Sequence, residues 1–217
     1  GQVKQGEIRE EKKVINLKAA EAERARKERL QLGELKNRIE RAIEGNAALQ
    51  QFRKQMMLDI TTEGLRIQIL DELNRPMFSS GSAQLQSYSR DILREIGKSL
   101  NDVSNRISIS GHTDAQPYAG GNKGYSNWEL SADRSNAARR ELIGGGLDES
   151  RIVRVVGLSS AVPLDAENPL NAVNRRISII IMNKKTEEAA SKDGGTVATE
   201  ENDPVAEETS DAGSTKP

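Results

Sequence analysis

The charge of this chain changes character twice along its length, and the two changes decide how much of it can fold around a core. Residues 1–54 carry 14 Lys and Arg against 9 acidic residues, all of them Glu, and no proline. Residues 55–186 are nearly balanced at 16 against 15, and residues 187–217 hold 2 basic against 9 acidic. The last stretch has only Val197 and Val205 as large aliphatics. It cannot bury enough apolar surface to offset the entropy of ordering, so 187–217 is expected to be a disordered acidic tail. The formal net charge of −1 conceals a basic arm and an acidic tail. With aromatics at 3%, the core has to be aliphatic and confined to part of the chain.

Absent residue types exclude several chemistries. The chain has no cysteine and one histidine, which rules out disulfides, thiol nucleophiles and a zinc cage of Cys and His. It holds no run of about 18 apolar residues, so no membrane-spanning helix is expected within it.

The arm, residues 1–54, reads as helix. Asn16 to Glu44 is rich in Ala, Glu, Lys, Arg and Leu, and Glu23 to Lys27 and Glu34 to Arg38 are favourable pairs four residues apart. Its first half shows no apolar stripe. Leu32, Leu35, Ile39 and Ile43 then line one face, which is expected to pack on something. Gly33 is a weak point and Gly45 with Asn46 a stop. A helix from Glu7 to Glu44 would reach roughly 57 Å. It is either a spacer or dimer stalk, or a solvated helix.

The middle stretch, 55–186, alternates strand and helix. Leu65, Ile67 and Ile69 alternate with polar residues, with Met57 to Thr61 as the hairpin partner. Leu85, Tyr88, Ile92, Ile96 and Leu100 step as an amphipathic helix, and Arg106 to Gly111 is a short strand. A second helix carries Leu130, Ala137, Ala138 and Leu142 and ends at Gly144-Gly145-Gly146. Ser126-Asn127-Trp128-Glu129 has the spacing of a capping box at its start. Ile152 to Leu158 and Ile177 to Met182 close the series as strands. The class is α+β, a small mixed sheet with helices on one face.

Two places can carry chemistry. The strand ending at Gly111 delivers His112-Thr113-Asp114 to its C-terminal edge, where such sheets commonly place ligands. Arg134 falls on or beside the apolar stripe of the second helix, where a guanidinium needs an anionic partner. Asp114 or a ligand carboxylate could supply it, and a structural Asp114–Arg134 salt bridge is the bland alternative. No second histidine, nucleophile elbow or third orienting group accompanies His112, so no catalytic residue, metal or cofactor is expected. Trp128 either stacks on a sugar or packs in the core or at a rim. Gly120-Gly121 lacks the Lys and Ser or Thr of a phosphate loop. Arg139-Arg140 and Arg175-Arg176 are too few for a nucleic-acid surface.

Gly111-His112-Thr113-Asp114, Asn127-x-x-Leu130-Ser131-x-x-Arg134 and Asn174-Arg175-Arg176-Ile177 resemble the OmpA-like peptidoglycan-binding domain over roughly Leu65 to Asn183. The run from Gly124 to Arg134, with Glu63 to Ile69 and Asn74 to Phe78, resembles more narrowly the periplasmic part of flagellar motor stator subunits of the MotB type. The longer stretch between Asp114 and Asn127 matches motor-type members; Ser135 stands where alanine is usual. The resemblance implies that Asp114 and Arg134 clamp the diaminopimelate of the peptidoglycan stem peptide, one on its ammonium and the other on its carboxylate, with Thr113, Asn127 and Arg176 adding contacts. Whether Arg175 or Arg176 faces inward is left open.

It also implies a MotA-like membrane partner, a homodimer, a flagellar basal-body ring protein as a further partner, and a periplasmic position behind an inner-membrane helix preceding Gly1. The function implied is a noncatalytic cell-wall anchor for an ion-driven torque generator. An outer-membrane or lipoprotein-type wall linker without a motor role would share the same pocket.

Overall fold

The computed structural model describes residues 2–119 and 124–192. A long helix, α1 (Gln2–Gly45), is followed by the short α2 (Ala47–Gln50) and the hairpin β1 (Met56–Ile60) and β2 (Gly64–Leu70). Then come α3 (Ser87–Ser99), β3 (Ile107–His112), α4 (Asn127–Gly144), β4 (Ile152–Gly157), β5 (Arg176–Met182) and α5 (Lys184–Lys192). The five strands form one sheet in the order β1-β2-β5-β3-β4. Only β3 and β4 run parallel, joined by α4; every other pair is antiparallel. This is the mixed α+β sheet expected of the sequence.

The two-residue period of the strands sorts the sheet into unlike faces. One row reads Leu58, Ile67, Ile179, Ile109, Val155 across the sheet. The next reads Asp59, Arg66, Ile180, Ser108, Arg154. The aliphatic face, with α1, α3 and α4 against it, makes one core in which Ile67, Ile109 and Ile179 are all fully buried.

The arm belongs partly to this core. Leu32, Leu35, Ile39 and Ile43 are each no more than 2% exposed. The expected weak point at Gly33 does not interrupt α1, which continues as one helix of 44 residues, roughly 66 Å at about 1.5 Å per residue. A mid-helix glycine costs only about 1 kcal/mol, and the buried leucines on either side outweigh it. The stop at Gly45 and Asn46 is where the sequence puts it. At the other end of the docked stretch Glu28 Oε1 accepts from the Lys184 backbone N–H, at 2.9 Å, and from Asn105 Nδ2, at 3.2 Å. The first residues of the expected tail, 187–192, are helical in α5, and 193–217 lie outside the described residues.

Two glycines let α4 lie directly on the sheet. A Cβ at Gly111 would sit 2.2 Å from the Ser131 carbonyl oxygen, and one at Gly157 2.5 Å from the Ala132 nitrogen. The helix starts with the expected capping box: Ser126 N–H donates to Glu129 Oε2 at 2.7 Å and Trp128 N–H to Ser126 Oγ at 3.2 Å. Ser126→Ala is expected to cost about 1 kcal/mol, read as a lower denaturation midpoint with unchanged m-value.

Candidate functional site

Because β5 runs against β2 and β3, the end of β2, the end of β3 and the start of β5 meet at one edge of the sheet. Backbone bonds knit the edge: Asp71 N–H donates to the Arg175 carbonyl (3.0 Å), Thr113 N–H to that of Ser159 (2.9 Å) and Ala115 N–H to that of Pro169 (2.9 Å). Between this edge and the start of α4 opens a cavity of about 550 Å³. Asp71, Thr113, Asp114, Asn127, Arg134 and Arg175 are among its polar lining residues. Four of the five expected site residues, Thr113, Asp114, Asn127 and Arg134, are thus brought together.

Charges of both signs are desolvated here. Asp114 and Arg134 are 7% and 6% exposed. The Asp114–Arg134 salt bridge that the sequence allowed does not form. Instead Arg175 spans two carboxylates, Nη1 to Asp114 Oδ2 at 2.8 Å and Nε to Asp71 Oδ2 at 2.6 Å. Asp114 Oδ1 also accepts from the Gln116 N–H at 3.1 Å, and Asp71 Oδ1 from the Met77 N–H. Burial pushes the Asp71 carboxyl above its usual range, against the pull of Arg175 and Met77. Burial works against the charge on Arg175 too, but its two carboxylates outweigh that and raise its pKa.

Arg134 is held differently. Its Nε donates to the Ser82 carbonyl at 3.0 Å and its guanidinium lies over the Phe78 ring, 4.7 Å from the centroid. Among the described residues it joins no ion pair, and its two terminal nitrogens make no hydrogen bond. Burial accordingly lowers its pKa, with Asp71 and Asp114 pulling the other way. The Thr113 hydroxyl is buried without a hydrogen-bond partner, whereas Asn127 Nδ2 donates to the Gln116 carbonyl at 2.8 Å. The cavity therefore offers a planar two-nitrogen fork, two carboxylates and an unspent hydroxyl, a set suited to a small zwitterion.

Arg176, the other residue expected at the site, lies elsewhere. It points to the opposite face of the sheet, where its Nε donates to Gln68 Oε1 at 3.0 Å and Nη2 to the Val162 carbonyl at 3.0 Å. His112 faces the same way, and burial with the nearby Arg176 charge pulls its pKa to about 4. Sequence reasoning missed Asp71 and left Arg175 undecided, although one signal was available. Ile177, Ile179 and Ile181 mark the helix-covered face, and Arg175 is in phase with them while Arg176 is in phase with Ser178.

The sequence matches the OmpA family over residues 77–176. It is 47% identical to motility protein B of Escherichia coli K12 over 93% of this chain and 62% of that protein. The chain thus spans less than two thirds of the length of that relative. It is 36% identical to the truncated flagellar export/assembly protein LafU of the same strain, over 80% of each chain. A solved MotB-like protein from Desulfovibrio vulgaris has the same fold, with a TM-score of 0.61 at 19% identity over 73% of this chain and 98% of that one. On these matches, and with the sheet, helices and cavity edge just described, the chain belongs to the OmpA family, in the group that includes motility protein B.

Proposed function

We propose that this chain grips peptidoglycan without catalysis and so anchors a flagellar stator, an ion-driven torque generator, to the cell wall. The observation that carries the reading is Arg134: a desolvated guanidinium with no carboxylate of its own, its terminal nitrogens uncommitted in a cavity that also holds two carboxylates. Such an arrangement costs stability unless a ligand completes it. The free end of a diaminopimelate side chain carries one ammonium and one carboxylate. The carboxylate takes the Arg134 fork, the ammonium sits by Asp114, and Thr113 supplies a neutral hydrogen bond.

In this reading residues 55–186 hold the grip and residues 1–54 form the arm that spans towards an inner membrane, in the periplasm. A transmembrane segment ahead of the arm, a MotA-like subunit around it, a second copy of the chain and a flagellar basal-body ring protein complete the assembly. The similarity to motility protein B over 93% of the chain supports this motor reading over a wall linker without a motor role. No helix among the described residues is long and apolar enough to cross a membrane.

The test is co-sedimentation with purified sacculi of two kinds, one with diaminopimelate and one with lysine in the stem peptide. Lysine keeps the ammonium and lacks the carboxylate. Binding to the first kind is expected, at least about tenfold tighter than to the second, as loss of one charged hydrogen-bonding partner implies. Equal binding to both would sink the clamp, and binding to neither would sink the wall anchor.

A further inference from the structure

The sheet face turned away from the helices carries an unusual distribution of charge. Arg66, Arg154 and Arg176 share it, and Arg106, one residue ahead of β3, continues the alternation onto the same side. In phase with them the strands supply one carboxylate, Asp59, whose Oδ2 lies 3.6 Å from Arg66 Nη2. The floor between carries the small polar residues Ser108, Ser110 and Ser178, with Gln68 beside them and Ile180 between Arg66 and Ser108.

The hydrogen bonding on this face is one-sided. Four buried side-chain nitrogens in the described residues have no partner: Arg66 Nε, Gln68 Nε2, Arg106 Nε and His112 Nδ1. All four belong to this face. Gln68 and His112 are 2% and 4% exposed, so these orphaned nitrogens are not served by bulk water. Arg176, 6% exposed, has no acidic partner among the described residues, and its pKa falls to about 10 through burial and the neighbouring Arg66 charge. A row of cations with three unsatisfied donors among them, Arg66 Nε, Gln68 Nε2 and Arg106 Nε, fits an extended, acceptor-rich anion.

The chain itself contains one of suitable size. Residues 193–217 hold seven acidic residues and one lysine, with Glu200, Glu201 and Asp203 close together and Glu207 and Glu208 following. We propose that this acidic segment docks on the arginine-rimmed sheet face of its own chain.

Reach is no obstacle. The segment continues from α5, which starts directly after β5. Twenty-five residues extend to at most about 80 Å, whereas five strands are only about 19 Å from first to last. Tethering holds the two at an effective concentration in the millimolar range, enough to fill a weak electrostatic site. The basic arm is the competing surface, but its cations are interleaved with Glu at helical spacing, as in Glu23 to Lys27 and Glu34 to Arg38, and those from Lys13 to Arg29 are exposed. On the sheet face Asp59 neutralises Arg66 alone, and the strands supply no carboxylate for Arg106, Arg154 and Arg176.

Arginine side-chain and backbone amide NMR spectra of the full chain test this. They are compared with those of a full-length variant in which Asp193, Glu200, Glu201, Asp203, Glu207, Glu208 and Asp211 become Asn or Gln. The expected result is a displacement of the Nε–H resonances of Arg66, Arg154 and Arg176 and of the Ser108 and Ser178 amides, with the other resonances outside residues 193–217 unchanged. In about 0.5 M salt these sheet-face resonances of the native chain should collapse onto those of the variant. Coincident spectra at low salt overturn the proposal. So do displacements confined to α1 arginines such as Arg24 and Arg29, or to Arg134 and Arg175 in the cavity, since those would place the acidic segment elsewhere. Wall binding is read separately, so failure here leaves the Arg134 clamp standing.

Discussion

Arg134→Ala is expected to abolish sacculus binding and to leave the fold almost as stable as before. The two halves of that result come from one fact: in the protein alone this guanidinium has no carboxylate partner. Its removal deletes one hydrogen bond to Ser82 and the stacking on Phe78, but also relieves the burial of an unpaired charge. In the complex the same removal leaves a ligand carboxylate desolvated and unpaired, a loss of about 2–5 kcal/mol, or roughly 30- to 5,000-fold in affinity. Arg134→Lys keeps the charge without the fork and should fall between. Sacculus binding and thermal unfolding measured on the same preparations decide it. Unchanged binding would remove Arg134 from the site, and a collapse in stability would show that it acts on the fold.

Arg175→Ala is expected to do the reverse, with its main effect on stability. Its side chain is 23% exposed and bridges Asp71 and Asp114, whose side chains alone are 7% and 10% exposed. Without it two carboxylates are left facing a cavity with no cation attached to them, a loss of about 3–5 kcal/mol. The loss should depend on pH. Burial already holds the Asp71 pKa above its ordinary value, and the variant raises it further. A carboxyl whose folded pKa exceeds its unfolded one binds its proton more tightly when folded, so folding gains as pH falls through the raised value. Denaturation at pH 7 and pH 5 should therefore show a smaller gap between variant and native protein at the lower pH. A gap that widens on acidification would mean that the carboxylates are not the seat of the loss.

Elements with strong period were legible in the sequence: the isoleucine-rich strands, the stripe from Leu32 to Ile43 and the capping box at Ser126 all stand where the pattern puts them. Thr113, Asp114 and Asn127 lie at the end or start of a regular element, where the chain path is constrained, and Arg134 lies two turns into α4, so that the four meet in one cavity. Asp71 was not legible because its role comes from β2 lying beside β5, a pairing between residues about a hundred positions apart. Gly33 misled because a local propensity of about 1 kcal/mol is small beside the burial of Leu32 and Leu35. Arg175 and Arg176 were separable by parity alone, and only the assumption that the strand phase was unreadable hid it.

Among the residues whose surroundings are described, α1 is exposed from Lys13 to Lys27 and clamped from Glu28 onward, so it is mechanically a cantilever, with about 22 Å of exposed beam ahead of its clamp. Sideways force on the free end produces its greatest bending moment at the clamp, where Glu28 holds Lys184 and Asn105 and Leu32 is the first buried side chain. Transverse pulling would then peel the helix off one turn at a time, while axial pulling would shear the whole stripe from Leu32 to Ile43 together. The same contacts thus offer a low rupture force in one direction and a high one in the other.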